Sequence, residues 1–196
     1  MQTTFEPGHF AGEHIEDWSE SRAQAWVKWG DGKLHYFLKV YDDWLDIPDE
    51  FPDNPWENDS IEIFFDGDNS KGFGDAGEHT YDGLDDIQTR LTLGWDDTEF
   101  VTAGYGNGVT SWEWDTSSVE FLTAETDEGW NIEASYDLGA LGIDPVIGAE
   151  FGFEMQLNEC DDPDVTPNRT VSRWWAPSEP TWSDASLFGT VVLSGP

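Results

Sequence analysis

Basic residues are scarce in this chain: 8 Lys and Arg stand against 42 Asp and Glu in 196 residues, a formal charge of −34. A surface so negative repels phosphate backbones and anionic headgroups, which argues against nucleic-acid binding and against membrane binding through a basic patch. Neutral and cationic ligands remain. Cysteine occurs once, at Cys160, so an internal disulfide framework and a multi-cysteine zinc site are both excluded; its expected place is a small buried side chain. Apolar runs extend only a few residues, too short for a membrane-spanning helix. The first twenty residues carry Glu, His and Asp rather than the apolar stretch of an export signal. Internal repeats and low-complexity linkers are missing too, which favours one domain.

Aromatic residues are what the chain has in quantity, with 12 Trp, 12 Phe and 5 Tyr. They suffice for a core and set the sequence apart from disordered acidic chains, which lack them. The acidity has two readings that stay open: adaptation to high salt, where hydrated carboxylates keep a protein dissolved, and a specific role for the charge.

Turn residues recur every eight to fifteen positions, and the runs between them are rich in Val, Ile, Phe, Tyr, Trp and Thr. This pattern predicts an all-β, antiparallel β-sandwich of about ten strands, jelly-roll or immunoglobulin-like, in a single domain. The expected strands are 24–29, 34–41, 60–66, 87–93, 100–103, 118–124, 130–136, 150–158, 170–175 and 187–193. Only 137–141 hints at a helical turn. Gly30-Asp31-Gly32-Lys33 joins the first two strands as a hairpin. Long acidic loops fill 42–58, 67–86 and 161–168, and loops of that length tend to carry function or hold ions.

Alternation sorts the side chains by face. In 60–66, Ile61, Ile63 and Phe65 point one way, and Glu62, Phe64 and Asp66 the other. In 150–158, Phe151, Phe153, Met155 and Leu157 oppose Glu154, Gln156 and Asn158. In 87–93, Ile87, Leu91 and Leu93 oppose Gln88, Arg90 and Thr92. A wet outer face is ordinary for a sandwich. The composition of this one is not, because amides and one of only four arginines replace the Asp and Glu found elsewhere. A planar amide, guanidinium or carboxylate can engage two adjacent sugar hydroxyls at once.

Four segments then resemble family 9 carbohydrate-binding modules in order and approximate spacing. They are Asn54-Pro55-Trp56-Glu57-Asn58-Asp59-Ser60-Ile61-Glu62-Ile63-Phe64-Phe65-Asp66, Asp85-Asp86-Ile87-Gln88-Thr89-Arg90, Gly152-Phe153-Glu154-Met155-Gln156-Leu157-Asn158-Glu159 and Trp182-Ser183-Asp184-Ala185-Ser186-Leu187-Phe188-Gly189. The similarity runs from about Ala23 to Leu193, leaving 1–22 as an acidic N-terminal segment before the module at 23–196. The resemblance implies a β-sandwich that binds the ends of cellulose- or xylan-type chains, with terminal sugars held between Trp56 and Trp182 and polar contacts from Glu62, Arg90 and Gln156. Thr92 and Glu179 occupy positions where the family pattern has amides. Trp174 and Trp175 compete for the aromatic role, since adjacent strand residues face opposite ways. The resemblance further implies no turnover, a catalytic glycoside hydrolase domain as partner, and an extracellular place in a secreted protein.

Stacking is the physical reason for the tryptophans: axial C–H groups give a pyranose an apolar face that lies on the indole, while equatorial hydroxyls reach sideways to polar groups. The acidic loops suggest calcium, because Asp66, Asp68, Asp85 and Asp86 put hard oxygen donors close together. Family members resemble this in holding structural calcium. The loop is no EF-hand, lacking the glycine at its sixth position. His9, His14, His35 and His79 show no metal-binding spacing.

Three other readings remain. Glu62 on a sugar-binding face is a candidate for glycoside hydrolysis, which normally needs a second carboxylate at a fixed separation. A related group of sandwich domains binds haem b, for which Met155 is a candidate axial ligand, although alternation turns it toward the apolar set. The third is a sugar-binding fold whose site has decayed.

Overall fold

The structure is a computed structural model, and it describes residues 2–4, 21–45, 58–72, 81, 85–95, 98–104, 116–160, 169–177 and 181–195. Eleven strands form two antiparallel sheets, with no α-helix among these residues. The first sheet has the order β1-β2-β3-β8-β7, from β1 (Gln2–Thr4), β2 (Ser21–Gly30), β3 (Lys33–Asp42), β8 (Gly129–Asp137) and β7 (Val119–Thr126). The second runs β10-β9-β4-β5-β6, from β10 (Arg169–Arg173), β9 (Glu150–Cys160), β4 (Ser60–Asp66), β5 (Asp86–Trp95) and β6 (Thr98–Gly104). The strand β11 (Gly189–Val192) also pairs with β9, beyond the end of β10. The expected all-β sandwich is therefore the fold. The strand β1, inside the segment read as an acidic N-terminal extension, pairs with β2 at the sheet edge.

The β2–β3 hairpin turns in two residues, with Asp31 and Gly32 both left-handed at φ 53° and 76°. That backbone matches the twist of the flanking strands and is the one an Asp-Gly pair favours. In the second sheet β4 and β9 lie side by side, and glycine at 152, opposite Asp66, is required by proximity. A Cβ there would come within 2.7 Å of the Asp66 Cβ.

Alternating side chains fill the space between the sheets. Leu34, Tyr36, Leu38 and Val40 of β3 and Trp130, Ile132 and Tyr136 of β8 meet Ile61, Ile63 and Phe65 of β4 and Phe151, Phe153 and Met155 of β9. Tyr36 stacks on Phe153 across the interface, with centroids 5.8 Å apart and planes 14° apart. The Tyr136 hydroxyl is buried but lies 2.9 Å from the Thr89 hydroxyl, so its polar end is satisfied. Met155 sits fully buried in this aromatic and aliphatic core. Cys160 is buried and free, as expected.

A second, smaller cluster lies on the opposite face of the second sheet. There Phe64 packs with Tyr81, Ala185 and Phe188. Chain segments thus cover part of that sheet's outer side, and every described residue from Ser60 through Asp66 and from Phe151 through Cys160 is buried.

Candidate ligand-binding site

Antiparallel register puts one residue from each of four strands into a single row across the outer side of the second sheet. Arg90 on β5 stands opposite Glu62 on β4, Glu62 opposite Gln156 on β9, and Gln156 opposite Arg173 on β10. Arg90 Nε donates to Glu62 Oε1. Gln156 Nε2 donates to Glu62 Oε2 at 2.8 Å and to Asn158 Oδ1 at 3.0 Å, and Gln156 Oε1 accepts from Arg173 Nε and Thr181 Oγ1, both at 3.2 Å. Asn158 Nδ2 passes the network on to Ser60 Oγ at 3.0 Å. All four hydrogen-bonding positions of the Gln156 amide are therefore engaged within the protein.

Alternation placed Glu62, Arg90 and Gln156 on an outer face, and they do share it. All three are nonetheless buried, packed against one another in the row and partly covered by Tyr81, Thr181 and Phe188 from segments that fold back over the sheet. A buried carboxylate and guanidinium are tolerated only when paired and hydrogen-bonded, as they are here. Thr92 lies one row along, opposite Ser60, fully buried with no hydrogen-bond partner for its hydroxyl. Gln88, flanking Arg90 on the other side, is also buried, and neither atom of its amide group has a partner.

Trp182 is presented from a short segment that is fastened at several points. The preceding Thr181 gives its hydroxyl to Gln156, and its carbonyl accepts from the Tyr81 hydroxyl at 2.7 Å. Asp184 caps the 3₁₀ turn Ala185–Leu187 by accepting from Ser186 N at 2.9 Å and from Ser186 Oγ at 2.6 Å. Phe188 anchors the end of the segment in the small aromatic cluster, and its carbonyl accepts from Lys71 Nζ at 3.0 Å. The indole itself is 54% exposed. Trp56 and Glu179 lie outside the described residues. Of the competing pair, Trp174 packs edge-on against Phe153 at 5.5 Å, and Trp175 is exposed.

Glu154, which alternation put on this face without a role, accepts from the backbone N–H groups of Met155, Trp174, Trp175 and Ala176 at 2.5–3.0 Å. It bridges the place where β10 leaves the edge of β9 and β11 has yet to begin. Burial pushes its carboxyl up to about 7, against the pull of those four donors. Arg173, Thr181, Tyr81 and Glu154 are the contributors that motif reading missed. Their signal is the β9–β10 register and the folding-back of distant loops, neither of which leaves a local trace.

The four acidic residues expected to hold calcium fall at the opposite end of β4 and β5. Asp66 and Asp86 face each other in register. Both Asp66 oxygens accept from its own turn, from Ser70 N at 3.0 Å and Lys71 N at 2.8 Å, while Asp68 accepts from Ser70 N at 2.9 Å. Desolvation raises the Asp66 carboxyl and the two amides pull it back. The Asp85 side chain lies over Gly67 and Gly142. Among the described residues, no three acidic, histidine or cysteine side chains converge as a metal site.

A two-sheet sandwich with a row of planar hydrogen-bonding groups on one face, and an exposed indole held beside it, is the build of a carbohydrate-binding module. The chain belongs to the family described as carbohydrate family 9 binding domain-like, whose model matches residues 7–196. It is 30% identical over 170 residues to an endo-1,4-beta-xylanase A of Thermoanaerobacterium saccharolyticum, covering 86% of this chain and 12% of that one. It is 28% identical over 174 residues to the exoglucanase XynX of Acetivibrio thermocellus, covering 88% and 14%. The chain thus spans about one-eighth of the length of these relatives. Among solved structures it is similar to a family 9 carbohydrate-binding module from Caldicellulosiruptor kristjanssonii in complex with cellotriose. That match has a TM-score of 0.71 and 25% identity, covering 92% of this chain and 79% of the other.

Proposed function

We propose that this chain is a non-catalytic module that holds the terminal sugars of cellulose- or xylan-type glycans between Trp56 and Trp182. The observation that carries this reading is the buried Arg90–Glu62–Gln156–Arg173 row lying next to the fastened segment that exposes Trp182. A solved relative bound to cellotriose and the xylanase and exoglucanase relatives support the ligand class. Glu62 and Arg90 are assigned the direct hydroxyl contacts. Gln156, with its bonding capacity already used, is a positioning residue that orients Glu62 and holds Thr181. The unpartnered Gln88 and Thr92 groups add polar capacity on either side of Arg90. Glu179 is assigned a further contact to the sugar.

Turnover is not part of the proposal. Among the described residues, Glu154 on this face is committed to four backbone amides and Asp66 to the amides of its own turn, so neither is assigned as a second acid for Glu62. Met155 lies within the apolar core, which removes the basis for haem ligation. The parent context is proposed to be a secreted enzyme with a catalytic glycoside hydrolase domain, from the relatives' lengths and names. Trp182→Ala and Trp56→Ala are each expected to weaken cellobiose binding at least tenfold in titration calorimetry while shifting the melting temperature little. Wild-type affinity in both variants defeats the clamp, and steady release of reducing sugar from xylan defeats the non-catalytic reading.

For calcium, the reading is that a structural ion draws on Asp85 and Asp86 at the start of β5. Chelation should then lower the melting temperature of the wild type and leave Asp85→Asn unaffected. An unchanged wild-type transition in chelator removes the ion from the account.

A further inference from the structure

In the buried row the planar groups bond to one another, and Gln156 has no capacity left. The next row toward the Asp66 turn is built differently. It runs from Glu154 on β9 through Phe64 on β4 and Gln88 on β5 to Gly104 on β6. Glu154 is given over to backbone amides. Gln88 is 1% exposed, and among the described residues neither its Nε2 nor its Oε1 has a hydrogen-bond partner. Its neighbours in the row explain why. Phe64 is apolar and packed with Tyr81 and Phe188, and Gly104 has no side chain. The Tyr81 hydroxyl, the polar group of that cluster, donates to the Thr181 carbonyl instead. Gln88 points the same way as Arg90, while Ile87 and Leu91 point into the core. The two outward groups are successive on one face of β5, about 7 Å apart along the strand. A buried carboxamide with both ends unpaired costs stability, and such a group is retained where something outside the fold supplies its partners.

We propose that Gln88 is a specificity-determining contact of the chain-end site: Nε2 donates to one hydroxyl of the bound sugar and Oε1 accepts from the adjacent one, so only termini undecorated at those two hydroxyls are taken. The inference rests on the chain-end reading above and adds to it the required state of the ligand, a free vicinal pair rather than an acylated or branched one. A carboxamide suits such a pair because it is donor and acceptor at once, whereas Glu62 only accepts and Arg90 only donates. Depth supplies the exclusion. The amide is as closed in as Glu62, itself 3% exposed, so a substituent on either hydroxyl meets protein. A missing hydroxyl leaves one end of the amide unpaired in the complex, which is the situation in which a buried polar site discriminates most strongly.

The test is titration calorimetry of the wild type and Gln88→Met with cellobiose and with its monodeoxy and mono-O-methyl derivatives, alongside thermal melts of both free proteins. Gln88→Met is expected to bind cellobiose more weakly by about tenfold or more. Its melting temperature should equal or exceed that of the wild type, since an apolar group of similar length replaces an unpaired buried amide. The wild type should discriminate against derivatives altered at two adjacent hydroxyls. Gln88→Met should lose that discrimination and keep the wild-type pattern at every other position, a coupling that a direct contact produces and a structural role does not. Wild-type affinity in Gln88→Met overturns the proposal. So does a loss that is uniform across all derivatives and accompanied by a lower melting temperature, which makes Gln88 part of the framework. A wild type that binds no cellobiose fails the chain-end reading itself and takes this proposal with it, an outcome seen before any variant is compared.

Discussion

Glu154 shows how one side chain can settle the course of the chain around it. Its two oxygens collect backbone N–H groups from Met155 of β9 and from Trp174, Trp175 and Ala176, where the chain leaves β10. Because burial raises its carboxyl from 4.5 to about 7, the folded state binds a proton more tightly than the unfolded chain does. Its contribution to stability is therefore greatest below about pH 4.5 and is lost as pH rises through 7. Across that window the melting temperature of the wild type should fall, and Glu154→Gln should flatten the slope by an amount on the order of 2–3 kcal/mol. Identical pH profiles for the two proteins would show that Glu154 does not titrate there. Glu154 was legible in the sequence only as an outward residue on β9; three of the four amides it binds come from twenty or more residues away.

At the scale of elements, the segment carrying Trp182 is more instructive than the strands. Its exposed indole is held not by a regular element but by the Tyr81 hydroxyl, the Gln156 amide, the Asp184 cap and the Phe64–Phe188 packing. Lys71, left-handed at φ 66°, joins this arrangement from the Asp66 turn through the Phe188 carbonyl. Tyr81→Phe keeps the ring and removes one buried hydrogen bond, so it should cost about 1 kcal/mol of stability. Cellobiose binding should weaken several-fold because Thr181, next to Trp182, loses an anchor. Unchanged binding would mean that the remaining ties suffice. Of the strands read from alternation, Ser60–Asp66 coincides with its expected range and the β2–β3 turn falls at Asp31-Gly32, whereas the expected 24–29 and 100–103 extend to Ser21–Gly30 and Thr98–Gly104. The expected strands 170–175 and 187–193 were too long: the first ends at Arg173 and the second covers only Gly189–Val192. The reason is that both share the edge of β9, and Glu154 occupies the gap between them.

For the molecule as a whole, charge is the dominant global property. A body of −34 repels itself, and the few cations are spent on local pairs such as Lys33–Glu120, Lys39–Glu128 and Arg90–Glu62. Salt that shortens the screening length from about 8 Å at physiological strength to about 3 Å at 1 M should therefore raise the melting temperature. The buried Arg90–Glu62 pair, shielded from the solvent ions, should hold through the same titration. A melting temperature that falls with salt would mean that the exposed pairs outweigh the general repulsion.

By itself the sequence determined the sandwich, the inward and outward sets on each strand, and the identity of Glu62, Arg90 and Gln156 as residues of one face. Period-two alternation and turn chemistry are local, and they survive without knowledge of which strands meet. Only the tertiary structure decided that β9 lies between β4 and β10, and hence that Arg90, Glu62, Gln156 and Arg173 form one hydrogen-bonded row. It also decided that loops bury this row, that Trp175 and not Trp174 is the exposed member of its pair, and that half of the chain's cations gather on the opposite side of the sandwich. Register and loop packing join residues scores of positions apart, and no local pattern encodes that pairing.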